Sequence, residues 1–162
     1  MVKTDIMNTE KLMDSMVGMP ELLLKKVNRK YQHKVKIDSP ISATKLLKTV
    51  AGDYCNYKEM MIAIYFDYSN KAIGHSIVGI GNVNSCVVDI QDVCRISLLS
   101  GAQNVIVGHN HPSGELKPSS KDLEITRKLK KALKYLDIKL LDHIIFRDED
   151  YSYFSFQNEG EI

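Results

Sequence analysis

Residues 105–122 read Val-Ile-Val-Gly-His-Asn-His-Pro-Ser-Gly-Glu-Leu-Lys-Pro-Ser-Ser-Lys-Asp, and no other stretch of the chain restricts the fold so tightly. Val105 to Val107 are β-branched and apolar, which predicts a buried strand. His109 and His111 follow where that strand should end. Strand side chains two apart share a face, so both imidazoles can aim at one point. Pro112-Ser113-Gly114 then turns the chain away. Ser119, just after Pro118, predicts an N-cap, and Asp122 completes a Ser-x-x-Asp helix start. The chain is committed here to a strand, a turn and a helix whose first-turn carboxylate faces back toward two imidazoles.

Two imidazole nitrogens and one carboxylate oxygen are a ligand set used for catalytic zinc. Zinc usually takes four ligands, so His109, His111 and Asp122 leave one position for water, whose pKa falls to roughly 7 in such sites. The bland alternative is a histidine pair that caps a strand and an aspartate that stabilises a helix start. A lone His-x-His would favour that alternative. The turn, the cap and the carboxylate in this register favour the metal, with Zn2+ the expected ion.

The string His109-x-His111, seven residues, Ser119, two residues, Asp122 resembles the JAMM (JAB or MPN) metalloprotease motif. Its fuller form, with Leu141-Asp142-His143 and Tyr153-Phe154-Ser155-Phe156 downstream, is similar to the RadC branch, over about Ser42 to Glu159. The resemblance implies an α/β fold: a mixed, curved β-sheet flanked by helices, with JAB/MPN (cytidine-deaminase-like) topology. It implies a zinc hydrolase, a metallopeptidase cutting an amide or isopeptide bond. Glu59 stands immediately before the apolar run Met60 to Phe66, where the JAMM pattern has its glutamate. By residue chemistry alone it is either an ordinary charge at a strand entrance or an acid/base. The resemblance implies the latter, taking a proton from water and passing it to the leaving amine. Ser119 matches the family's serine, which implies a hydrogen bond to the water or oxyanion, compatible with its cap role. A nucleobase deaminase, which also carries zinc on an α/β sheet, is set aside because His-x-Glu and Pro-Cys-x-x-Cys are both missing.

The rest of the chain fits one domain of ordinary size. Residues 1–38 read as an N-terminal extension, with a short helix beginning over 9–17 and a lysine-rich extended arm over 22–37. Residues 39–162 read as the RadC-like domain. Ser39-Pro40 looks like a linker, and Ser42 is expected to cap a helix to about Val50, stopped by Gly52. Met60 to Phe66, apolar on both faces, predicts a central strand. Tyr68 to Lys71 predicts a hairpin turn, and Ala72 to Ile80 the returning strand. Cys86 to Val88 is read as a short strand. Asp89 is expected to cap a helix to Ser100, with Val93, Ile96, Ser97 and Leu99 on its packed face and Gly101 as the stop. Ser119 to Leu136 predicts the longest helix. Ile138 to Leu141, Ile144 to Phe146 and Tyr151 to Phe156 read as strand material. His75, on the returning strand, is read as a solvent-facing or hydrogen-bonded histidine and His143 as a hydrogen-bonded one, rather than as ligands.

Charge excludes little. Lys plus Arg is 22 and Asp plus Glu is 20, a net of +2, which argues neither for nor against nucleic acid. The basic residues Arg127, Lys128, Lys130, Lys131 and Lys134 share the long helix and read first as a solvated face. A weak association with DNA, as a repair-associated accessory protein of the RadC type without proteolytic activity, is the alternative function. The peptide or protein substrate is not specified by the residues. Three cysteines without Cys-x-x-Cys spacing predict free thiols in a reducing, cytoplasmic setting. No stretch approaches a membrane span and no signal peptide is visible.

Overall fold

The computed structural model describes residues 37–81 and 88–162. The expected extension, with its helix and its lysine-rich arm up to residue 36, lies outside the described residues, as does most of the Cys86–Val88 strand. Among the described residues no helix is long and apolar enough to cross a membrane.

The elements run α1 (Pro40–Ala51), a short 3-10 turn (Gly52–Asn56), β1 (Met60–Phe66), β2 (Ala72–Ile80), α2 (Ile90–Ser100), β3 (Asn104–Asn110), α3 (Ser120–Tyr135), β4 (Lys139–Phe146) and β5 (Tyr153–Ser155). The strands form one open sheet in the order β2-β1-β3-β4-β5. Only β3 and β4 are parallel, joined through α3; the other neighbours are antiparallel. A parallel pair needs such a crossover, because a tight turn cannot reverse the chain twice. The architecture is the mixed α/β sheet flanked by helices that the sequence implies.

Every residue of β1 is buried, as its uninterrupted apolar run requires of a strand covered on both faces. One face carries Met61, Ala63, Tyr65, Val105 and Val107 against Val93 of α2 and Leu129 and Leu133 of α3. The other carries Ile62, Ile64, Phe66, Ile106, Ile144 and Phe146 against Ala43 and Leu47 of α1. Alternation along β3 therefore assigns odd positions to the α2/α3 layer and even positions to the α1 layer.

Several boundaries differ from expectation. Ser39, not Ser42, caps α1: its hydroxyl accepts from the Ser42 backbone N–H, and Ser42 Oγ accepts from the Ser39 N–H in return. The proline that looked like a linker occupies the first helical position, where its missing N–H costs nothing. The strand material around Asp142-His143 is one continuous strand, and the last strand is only three residues long. Leu99 is exposed, so the packed face of α2 narrows to Val93 and Ser97, with Ile96 at its margin. The start of α2 at Asp89, its stop at Gly101 (φ 69°) and the hairpin turn at Asn70 (φ 55°) are as read.

Candidate metal centre

β3 ends at Asn110, so His109 is its last odd-numbered residue and His111 follows just outside. The His111 backbone N–H still bonds to the Phe146 carbonyl at 2.9 Å, which keeps the chain extended for one more residue. Both rings consequently lie toward the α3 layer, with His109 Nε2 and His111 Nε2 2.9 Å apart. His109 is fully buried and His111 partly so.

The third donor arrives from the first turn of α3. Ser119 caps the helix, and its backbone N–H and its hydroxyl both donate to Asp122 Oδ2, at 2.7 and 2.6 Å. Asp122 Oδ2 is thereby occupied by the cap. Asp122 Oδ1 faces His109 Nε2 at 3.4 Å, and Oδ2 stands 4.0 Å from His111 Nε2. The helix buries Asp122, Thr126, Leu129 and Leu133, one stripe at spacings of four, three and four. The stripe that packs Leu129 and Leu133 into the core thus delivers Asp122 to the site at its N-terminal end.

His109, His111 and Asp122 offer one ligand atom each, all within 4.8 Å of one another. The donor chemistry suits a divalent ion. His111 Nδ1 lies 2.5 Å from the Glu115 carbonyl oxygen, which can only accept. In the neutral form of the ring this contact puts the proton on Nδ1 and leaves the Nε2 lone pair toward the group. Burial pushes the His109 imidazole down to about 4, with His111 adding to the effect and Asp122 opposing it. A neutral buried imidazole with a free lone pair is a metal donor rather than a cation.

Asn110, between the two histidines, points to the opposite face and is fully buried. Its side-chain oxygen accepts from Met60 N–H at 2.9 Å, and its amide donates to the carbonyls of Cys55 and Lys58 at 2.8 and 2.7 Å. One side chain thus ties together the backbone on either side of Glu59 at the entrance to β1, while the Glu59 carbonyl accepts from the Gly81 N–H at 2.9 Å. Glu59 lines a cavity of about 230 Å³ together with Met61, Lys121, Asp122 and Ile125. Burial raises its pKa above the ordinary 4.5, with nearby Asp122 acting in the same direction and His111 and Lys121 opposing. Cys55 is buried, and burial pushes its thiol up to about 11, so it stands as an inert packing residue of the α1 layer.

His143 of β4 reaches the group as well. Its Nε2 is 2.8 Å from His109 Nδ1, and its Nδ1 is 2.6 Å from Thr126 Oγ1. The expectation that it is a hydrogen-bonded histidine holds, and its partner is a candidate ligand. A register shift in the β3–β4 ladder is responsible: Leu140 pairs with Val105 but Asp142 with Ile106. The extra residue, Leu141, lets Leu140 and His143 share the α3 face although they are three apart, since a one-residue slip reverses every later side chain. Strand alternation read from the sequence does not contain that slip. Thr126 carried no signal beyond its place on the stripe of α3. His75 is exposed on the edge strand β2, opposite Ile64, outside the group.

The two downstream motifs meet beside the site. Ser155 Oγ donates to Asp142 Oδ2 at 2.6 Å, and the Phe156 ring stacks on His143 with centroids 4.5 Å apart and planes 10° apart.

The chain is similar to known proteins over most of its length. The sequence model of the RadC-like JAB domain matches residues 37–161. A UPF0758 protein of Aquifex aeolicus is 38% identical over 129 residues, covering 80% of this chain and 54% of its own length. One from Flavobacterium johnsoniae is 37% identical over 125 residues (77% and 53%), and one from Burkholderia cenocepacia 32% over 145 residues (90% and 55%). The chain spans about half the length of these curated relatives. With two thirds or more of its residues aligned to each of them, and the family's sequence model spanning the whole described fold, this chain belongs to the RadC-like JAB domain family.

Proposed function

We propose that the chain is a zinc-dependent hydrolase of the JAMM type, a metallopeptidase acting on an amide or isopeptide bond. The observation that carries this reading is the convergence of two imidazole nitrogens and one carboxylate on a point beside a cavity that Glu59 lines. His109, His111 and Asp122 would hold the ion, and Asp122 has Oδ1 to offer because the capping box takes Oδ2. When bound, zinc supplies Lewis acidity toward a carbonyl oxygen and lowers the pKa of water.

The protein's own residues do the rest. Glu59 accepts a proton from the attacking water and returns it to the departing amine nitrogen. Partial burial supports this, because it raises the Glu59 pKa above its ordinary value, the direction that makes a carboxylate a stronger proton acceptor. Ser119 holds Asp122 through its hydroxyl; stabilising an oxyanion would require that hydroxyl to turn away from Oδ2. Met61 and Ile125 form an apolar part of the cavity wall, beside the charged Lys121, Glu124 and Lys128. A cytoplasmic location fits the free thiols of Cys55 and Cys94.

The test is metal content and hydrolysis on the same preparations. The purified protein should hold close to one zinc, and His109→Ala with His111→Ala should abolish it. Glu59→Gln should retain zinc and lose cleavage of a panel of peptide and isopeptide substrates. Cleavage that survives Glu59→Gln removes the proposed acid/base.

A second reading, a DNA-associated protein without proteolysis, is favoured by one observation. Arg127, Lys128, Lys130, Lys131 and Lys134 are all exposed on α3. Lys128 is already paired with Glu124 at 2.6 Å. Phosphate contacts would make binding fall steeply with salt. No binding at low salt eliminates this reading.

A further inference from the structure

We infer that Thr126 and His143 are positioning residues that fix the tautomer of His109, holding its Nε2 lone pair toward the metal position. The inference rests on the proposed function for the ion, but the tautomer can be read without one.

Thr126 Oγ1 lies 2.5 Å from the Asp122 carbonyl oxygen and 2.6 Å from His143 Nδ1. A hydroxyl has one proton and a carbonyl oxygen has none. Were the proton directed at His143, two oxygens would oppose their lone pairs at 2.5 Å. The Thr126 O–H therefore donates to the carbonyl, and its oxygen accepts from His143 Nδ1–H. The neutral His143 ring then has Nε2 unprotonated, and among the described residues the group facing it is His109 Nδ1 at 2.8 Å, which must donate. A neutral His109 with its proton on Nδ1 presents a bare Nε2 beside Asp122 Oδ1 and the equally bare His111 Nε2 at 2.9 Å, three lone-pair atoms whose mutual repulsion a cation between them would relieve.

The order runs one way, outward from a helix carbonyl, through a hydroxyl and two rings, to the donor atom. Burial protects it. His109 and His143 are 0% exposed and Thr126 2%, so solvent does not offer either ring a substitute partner. Stacking on Phe156 holds the plane of His143. Turning the Thr126 proton around would reverse both rings and place a proton on His109 Nε2, where it would block a ligand bond. Partners that set a ligating histidine's tautomer commonly change metal affinity by about 10- to 100-fold when removed.

The experiment reads tautomers and affinity separately. Long-range proton–nitrogen correlation spectra of the metal-free full chain, at mildly alkaline pH, should show His109 and His143 protonated on Nδ1. Thr126→Val keeps the shape and removes the acceptor. Both rings should then shift to the Nε2–H form, and zinc affinity, measured by competition with a chromophoric chelator, should fall about 10- to 100-fold. Thr126→Ser should restore both readouts. Wild-type spectra with His109 protonated on Nε2 overturn the inference, as does a folded Thr126→Val protein with wild-type tautomers and affinity. A wild-type chain that binds no zinc yet shows the Nδ1–H forms supports the inference while removing the proposed function. If Thr126→Val does not fold, the wild-type spectra decide alone.

Discussion

Replacing Asn110 by alanine tests whether one side chain between the two histidines builds the approach to Glu59. The amide makes three hydrogen bonds from a fully buried position: one accepted from Met60 N–H and two donated, to Cys55 and Lys58 carbonyls. Alanine leaves all three backbone groups without that partner. An unsatisfied buried polar group costs about 1–3 kcal/mol. The Lys58 contact is only part-buried, so its carbonyl can regain water and contributes least. The two deeper groups, with a small cavity, set the expected loss at about 3–5 kcal/mol, a large share of the 5–15 kcal/mol typical of a domain. With a urea m-value of roughly 1–3 kcal/mol/M, the unfolding midpoint should drop by about 2 M. Asn110→Asp should do no better, since it retains the acceptor for Met60 N–H but sets a carboxylate oxygen against two carbonyls. Under conditions where the alanine variant remains folded, zinc content should persist while hydrolysis falls, because Glu59 precedes Met60. A midpoint shift equivalent to under about 0.5 kcal/mol, the range of an ordinary surface substitution, would show that the strand entrance holds itself in place and refute the reasoning.

Three other outcomes follow from the same geometry. In metal-free protein the raised pKa of Glu59 means that the folded state holds its proton more tightly than the unfolded chain, so this group's contribution to stability is lost as pH rises from about 4.5 through the folded value; Glu59→Gln should therefore be more stable than wild type at neutral pH, with the advantage shrinking below about 4.5, as thermal melts across pH would show. A Cβ at Gly108 would sit 2.4 Å from Leu47 Cδ1 and 3.0 Å from the Ile144 carbonyl oxygen, so Gly108→Ala should cost about 1–3 kcal/mol in denaturant unfolding and weaken zinc binding by displacing β3; an unchanged midpoint contradicts the close approach of α1 to the sheet. Ser155→Ala removes the hydroxyl that donates to buried Asp142 at 2.6 Å and should destabilise by about 1.5–3 kcal/mol at neutral pH, read by the same unfolding assay, with a smaller loss in acid once the carboxyl is protonated.

Local chemistry accounts for most of what could be read in the chain without coordinates. A β-branched run, a Pro-Ser-Gly turn and a Ser-x-x-Asp cap each act within a few residues, so the strand, the turn and the helix bearing His109, His111 and Asp122 were legible in order. The apolar run from Met60 to Phe66 likewise fixed a strand covered on both faces. The role of Asn110 was not legible, because its partners Cys55, Lys58 and Met60 are fifty or more residues away and meet it only across the β1–β3 pairing. His143 was hidden for a different reason. A single extra residue in β4 turns it onto the α3 face, and nothing local to Leu141 announces that slip. Short-range rules of turn, cap and alternation are written residue by residue, and they named the three donors. The order of the protons behind those donors depends on which strand lies beside which and in what register, and only the packed sheet decides that.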